Sequence, residues 1–211
     1  MTPGPVPLPP EVREILSQPM IHHRTPEFER VLKSVSQKLK TTFLTEQTVF
    51  MHASTGSGAM ESAIVNTLNP GDKILALVSG KFGERWRDMA RRHGCSVTEL
   101  GVPWGESVSL EQLEIELKKT SFDAVFVQAC ETSTATVHPV RQIAELIRRT
   151  SSSTLLFVDA ITAIGAMPLP MDEWDLDVVV SGSQKAFMLP TGLSFIALSE
   201  RAWKKNSSVV P

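Results

Sequence analysis

The sequence predicts an α/β fold, a parallel sheet of seven strands wound with helices. Three observations predict it. From about residue 48 onward, short apolar runs alternate with stretches of helical period. Turn signals such as Asn69-Pro70-Gly71-Asp72 separate them. Two of the runs, 155–158 and 178–180, are apolar throughout and read as strands buried on both faces. Strands alternating with helices close into a parallel sheet through right-handed crossovers. The 211 residues suit one domain of ordinary to large size, and the 42% apolar share suffices for a sizeable core.

In chain order, Pro3 to Pro10 is proline-rich and reads as an extended arm. Pro10 suits the first position of a short helix carrying Val12, Ile15 and Leu16. After a loop at Met20–Arg24, Phe28, Val31, Leu32, Val35, Leu39 and Phe43 form one helical stripe, for core or dimer interface. Strands are expected at Thr48–Ala53, Lys73–Ser79, Ser96–Val102, Asp123–Ala129, Leu155, Val178 and Gly192–Leu198. Helices are expected at Gly56–Leu68, at Phe82–His93 with Trp86, Met89 and Ala90 inward, and at Pro139–Arg149 with Val140, Ile143, Ala144 and Ile147 inward. Gly94 ends the second of these. Ser109 with Gln112 makes a capping box ahead of Leu110, Leu113 and Leu117.

Several function classes are excluded by composition. A net charge of −2 gives no nucleic-acid footprint. Acids interrupt the basic cluster Arg85, Arg87, Arg91 and Arg92, which reads as a solvated helix face. No apolar run is long enough to span a membrane, and the N-terminus lacks the basic and apolar regions of a signal peptide. Cys95 and Cys130 make no disulfide framework and suit a reducing compartment, the cytoplasm. The five histidines show no metal spacing.

The chemistry concentrates at two strand ends. The run at 155 ends in the carboxylate Asp159, and the run at 178 ends past Ser181-Gly182-Ser183-Gln184 in Lys185. Ligands of an open parallel sheet sit outside the carboxyl ends of its strands. A lysine and an acid delivered there are the pair that pyridoxal 5′-phosphate needs, one for a Schiff base and one for the pyridine nitrogen. Thr55-Gly56-Ser57-Gly58 joins the first strand to its helix, where free amides and the helix dipole can hold a phosphate; the same residues also suit an ordinary tight turn. Glu61 stands where a dinucleotide fingerprint needs its third glycine, and Gly80-Lys81 lacks the rest of a P-loop.

Val158-Asp159-Ala160 followed by Ser181-Gly182-Ser183-Gln184-Lys185 resembles the class V branch of the fold-type I pyridoxal-phosphate enzymes, near the alanine–glyoxylate and serine–pyruvate aminotransferases. The likeness runs from Pro3-Gly4-Pro5 to about Ala202. It implies the large domain of that fold, a mainly parallel sheet with helices on both faces and the last strand antiparallel. It implies that Thr55, Gly56 and Ser57 take the cofactor phosphate, that Phe82 stacks on the ring where relatives often have Trp, and that the Thr132 hydroxyl reaches the ring oxygen. Asp159 would meet the ring nitrogen. Lys185 would bind the cofactor covalently and carry the α-proton, with Gln184 and, more weakly, Ser183 in contact. The reaction implied moves an amino group from alanine or serine to glyoxylate or pyruvate, in a homodimer. The expected division is an arm and helices at 1–47 and a cofactor domain at 48–211. The family's C-terminal domain, with its arginine for the substrate carboxylate, would lie beyond Pro211; Arg24 reads as exposed, with a surface role, and is the first candidate to replace that arginine within the chain. Two alternatives stay open: a class V lyase or desulfurase, though those desulfurases carry His at the position of Phe82, and a non-catalytic fragment of the fold.

Overall fold

The computed structural model describes residues 3–210. The outermost positions of the two expected segments, residues 1, 2 and 211, lie outside the described residues. The elements in order are α1 (Pro10–Leu16), α2 (Pro26–Phe43), β1 (Val49–His52), α3 (Gly56–Thr67), β2 (Lys73–Val78), α4 (Lys81–Arg92), β3 (Ser96–Gly101) and α5 (Leu110–Lys119). There follow β4 (Ala124–Gln128), β5 (Cys130–Glu131), β6 (Thr136–Val137), α6 (Val140–Thr150), β7 (Leu155–Asp159), β8 (Val178–Gly182), β9 (Ser194–Leu198) and α7 (Glu200–Asn206).

Seven strands form the main sheet in the order β1-β9-β8-β7-β4-β2-β3. β9 runs against both its neighbours, and the other strand pairs are parallel. The expected seven strands and the reversed last strand are thus both present. Two elements went unread in the sequence: the two-residue ladder β5–β6 and the helix α7.

Each strand feeds two cores because successive side chains point to opposite faces. Val125, Val127, Leu156, Val158 and Val179 pack on α2, α5 and α6, whereas Ala124, Phe126, Leu155, Phe157, Val178 and Val180 pack on α3, α4 and α7. Burial on both faces explains why these strands read as unbroken apolar runs. Trp86 of α4 stacks on Phe126 at 4.6 Å, and its indole N–H donates to the Met60 carbonyl at 3.2 Å. α4 is thereby fixed to both the sheet and α3.

The stripe on α2 divides. Leu39 and Phe43 are buried in the core, but Val31, Leu32 and Val35 remain 36–45% exposed. The box at Ser109 is present in its forward half, with Gln112 N–H donating to Ser109 Oγ at 3.3 Å. Asp177, wholly buried at the start of β8, is met by the guanidinium groups of Arg148 and Arg201, by Leu156 N–H at 2.7 Å and by the Ser199 hydroxyl at 2.8 Å. Such pairing is what makes a buried carboxylate tolerable. This network lies at the opposite ends of β7 and β8 from Asp159 and Lys185.

The chain order reverses direction across β2: β3 lies on one side of it and β4 on the other. Crevices at such switch points, at the carboxyl ends of the strands, are where this architecture binds ligands.

Candidate active site

The loops after β1, β2, β4, β7 and β8 enclose a cleft of about 270 Å³. Thr55, Gly56, Ser57, Phe82, Thr132, Asp159, Gln184 and Lys185, eight of the candidates named from the sequence, all line it.

Thr55 is the N-cap of α3, yet its side chain makes no capping bond, and among the described residues its hydroxyl has no hydrogen-bond partner. Among the described residues the Gly56 and Ser57 N–H groups have no partner, whereas Gly58 N–H donates to the Thr55 carbonyl at 2.8 Å. Ser54 ties this turn to the sheet through Ser194 Oγ at 2.6 Å. Ser57 Oγ accepts from Arg85 Nη1 at 3.2 Å, and the Arg85 guanidinium lies 5.0 Å from the centre of the Phe82 ring. Arg85 therefore does more than solvate a helix face, as its sequence context suggested. It lines the cleft beside the free end of α3. Its spacing of three residues from Phe82 on a helix was the signal that the two share a face.

Phe82 is held by a residue the sequence reading passed over. Glu131 is fully buried, and its carboxylate accepts four hydrogen bonds. Phe82 N–H and Gly83 N–H donate to Oε2 at 3.0 and 2.9 Å; Ser133 N–H and Ser133 Oγ donate to Oε1 at 3.1 and 2.6 Å. A carboxylate here caps α4 and complements its dipole. Gly80 makes room for it, since a Cβ there would lie 2.7 Å from Glu131 Cγ and Cδ. Nothing in the local sequence marks Glu131 as a helix cap, because the α4 amides it accepts from lie some fifty residues away. Glu131→Ala should destabilise the chain by about 3 kcal/mol or more, because several charge-assisted bonds and a cap are lost together. Urea denaturation checks this; a change below about 1 kcal/mol would show the carboxylate to be dispensable.

Asp159 is 5% exposed, and Oδ1 accepts from Ile161 N–H at 3.0 Å. Among the described residues, no group donates to Oδ2. Burial raises its pKa to about 7; the Ile161 bond opposes this, nearby Glu131 adds to it, and the positive charges of Arg85 and Lys185 oppose it. Burial pushes the Lys185 ammonium pKa down, and Asp159 pulls it back up. Thr132 Oγ1 donates to Thr162 Oγ1, which donates to the Cys130 carbonyl, both at 3.1 Å. Gln184 Oε1 is buried without a hydrogen-bond partner among the described residues.

Two of the weaker candidates lie outside the cleft lining. Ser183 does not line the cleft; its hydroxyl donates to the Pro190 carbonyl at 2.5 Å and accepts from Leu193 N–H, closing the turn that follows β8. Arg24 is at the surface, where its pattern put it, and it too lies away from the cleft lining. Besides Arg85, the cleft adds Cys130, Ile161, Thr162 and Thr191 to the residues read from sequence.

The sequence pattern of the family described as aminotransferase class-V matches residues 12–210. An L-aspartate–glyoxylate aminotransferase from Paracoccus denitrificans is 41% identical over 95% of the chain and 52% of its own length. A serine–glyoxylate aminotransferase from Hyphomicrobium methylovorum is 38% identical over 98% of the chain and 52% of its own. The solved structure of an alanine–glyoxylate aminotransferase from Nostoc sp. superposes with a TM-score of 0.93 at 34% identity, covering 98% of this chain and 55% of that one. The chain thus spans about half the length of these relatives.

Proposed function

The chain belongs to the aminotransferase class-V family, and from that we propose that it builds the cofactor site of a pyridoxal 5′-phosphate-dependent transaminase. The reaction moves an amino group from a small amino acid, alanine or serine, to a small 2-oxo acid, glyoxylate or pyruvate. One observation carries the proposal: a buried acid, Asp159, and a half-buried amine, Lys185, share one cleft with the free N-terminus of α3.

The residues present fit pyridoxal 5′-phosphate. Asp159 Oδ2 and Gln184 Oε1 are acceptors left without protein donors among the described residues. When bound, the cofactor supplies an electron-withdrawing ring that stabilises negative charge at the substrate α-carbon. Thr55, Gly56 and Ser57 would hold the phosphate with amides and hydroxyls, and Arg85 adds positive charge beside them. Phe82 would offer its flat face to the ring, and Thr132 and Gln184 their polar ends. Asp159 would give up its proton and stand as counter-charge to a cationic ring nitrogen. Lys185 Nζ would hold the cofactor covalently, then take the substrate α-proton and return it. Burial favours the neutral amine that this requires.

The names of the relatives favour transamination over the lyase or desulfurase reading. We further assign residues 48–211 to the cofactor domain and residues 1–47 to the arm and the helices that meet a second subunit. The exposed Val31, Leu32 and Val35 of α2 support that surface. The two cysteines are free, which supports a reducing, cytoplasmic setting.

Borohydride reduction of the protein with pyridoxal 5′-phosphate, followed by peptide mapping, tests the site. The label is expected on Lys185, and a label on another lysine would remove the assignment.

A further inference from the structure

Lys185 borders a second cavity. A groove of about 610 Å³ lies beside the first cleft, and the two share Cys130, Thr132, Thr162 and Lys185. Pro3, Val6 and Pro7 of the N-terminal arm line it, as do Ala166, Ala186 and Met188. The arm is anchored there. Val6 N–H donates to the Gln184 carbonyl at 3.3 Å. Gly4 presses directly on the lysine: a Cβ at this position would stand 2.7 Å from Lys185 Cδ and 3.1 Å from Nζ. Its φ of +142° independently favours glycine.

We propose that Pro3–Pro7 builds the substrate side-chain pocket beside Lys185, seated by Gly4, and that this pocket takes small uncharged side chains. The inference rests on the transaminase reading above and gives it a structural basis for substrate choice. The reacting amine must be reached from open space, and this groove is the space that adjoins Lys185 outside the acid-bearing cleft. Beyond the shared Cys130, Thr132, Thr162 and Lys185, its walls are prolines, alanines, a valine and a methionine. Among the described residues its lining holds no charged group other than Lys185. A carboxylate side chain entering it would lose water and meet no dedicated cation, whereas methyl or hydroxymethyl groups would lose little. The proline-rich arm is stiff, so holding it as a wall costs little conformational entropy. The groups around Lys185 that bear on its charge are Asp159 on β7 and, through Asp159, Glu131 on β5 and Arg85 on α4; the arm from Pro3 to Pro9 contains no ionisable side chain.

Two readouts separate this inference from the reading it rests on. In the cofactor-free chain, reductive methylation mapped to Lys185 over a pH series gives that lysine's own titration midpoint. Gly4→Ala drives a Cβ into the lysine stem, so the arm should lift off and the midpoint should rise toward that of a solvated lysine. An unmoved midpoint overturns the seat, whatever the cofactor does. In the protein loaded with pyridoxal 5′-phosphate, absorbance titrations with L-alanine, L-norvaline and L-aspartate read the pocket. Alanine should bind tightest, with about a tenfold loss for each methylene that meets a wall. Val6→Ala keeps the backbone bond to Gln184, and it decides the matter if Gly4→Ala does not fold. It should narrow the alanine-to-norvaline ratio by about tenfold. An unchanged ratio in Val6→Ala, or aspartate preferred by the unsubstituted protein, overturns the pocket. Failure of the unsubstituted protein to show any cofactor band overturns the transaminase reading instead, and the methylation result still judges the arm.

Discussion

Lys185→Ala is expected to leave no borohydride-fixable cofactor and to slow the half-reaction with L-alanine by about 10²–10⁴-fold or more. That range covers only the loss of an acid–base group; the loss of covalent attachment adds to it. Lys185→Arg should do no better, because a guanidinium stays protonated and cannot take a proton from carbon. The check is a single-turnover absorbance measurement, repeated with added methylamine. Partial recovery with the free amine would mark the missing function as proton transfer. A Lys185→Ala protein within about tenfold of its parent would take the lysine out of the reaction.

Asp159→Asn should produce effects of opposite sign on stability and on catalysis. Burial raises this carboxyl from 3.8 to about 7. Below 3.8 the acid is protonated in both folded and unfolded chains and contributes nothing. Between 3.8 and about 7 the folded state holds a proton that the unfolded state has lost, so stability falls as pH rises through this window. Above it the full penalty, on the order of 4 kcal/mol, is present. Asparagine is neutral at every pH and can keep the Ile161 bond through its own carbonyl oxygen. The cofactor-free Asn variant should therefore be the more stable protein at pH 8, with the gain gone by pH 4. Urea denaturation at the two pH values measures this. Catalysis should move the other way, falling by about 10²–10³-fold, as when other fixed electrostatic partners of a transition state are removed. A variant less stable than its parent at pH 8, or one with an unchanged half-reaction rate, would contradict the role of this carboxylate as a destabilising residue kept for its charge.

Much of this was legible because the physics acts locally. β7 and β8 are buried on both faces, so their sequences are apolar until the site begins, and Asp159 and Lys185 stand out against that background. Thr55–Ser57 are readable as a helix start because chain geometry alone leaves those amides free. What escaped the reading depends on partners remote in sequence. Glu131 looks like one polar residue among four until α4 is seen to end on it. Ser183 and Gln184 are neighbours in sequence, yet one closes a turn and the other lines the cleft. The β5–β6 ladder is too short for any periodicity to show. For α7 the signal was present, since Ser199 caps Ala202 N–H at 3.2 Å, and it went unused. On α2, period showed a helix, but period cannot say what will cover Val31, Leu32 and Val35.

The reversed strand has a consequence for the order in which the molecule can be completed. β1 is bonded within the sheet to β9, with His52 opposite Ser194. β9 also joins β1 to β8, so the Thr55–Ser57 loop after β1 and the Lys185 loop after β8 have no shared sheet framework until β9 is in place. On a ribosome, β9 emerges after β1 by an interval on the order of ten seconds at ordinary elongation rates. During that interval Thr55, Gly56 and Ser57 sit on a strand without its neighbour, while β2, β4, β7 and β8 can already assemble. The nascent chain therefore passes through a stage in which the ends of β7 and β8, with Asp159 and Lys185, can already be positioned while the loop after β1 is not yet joined to them, and the cleft closes only when β9 has paired with both β1 and β8.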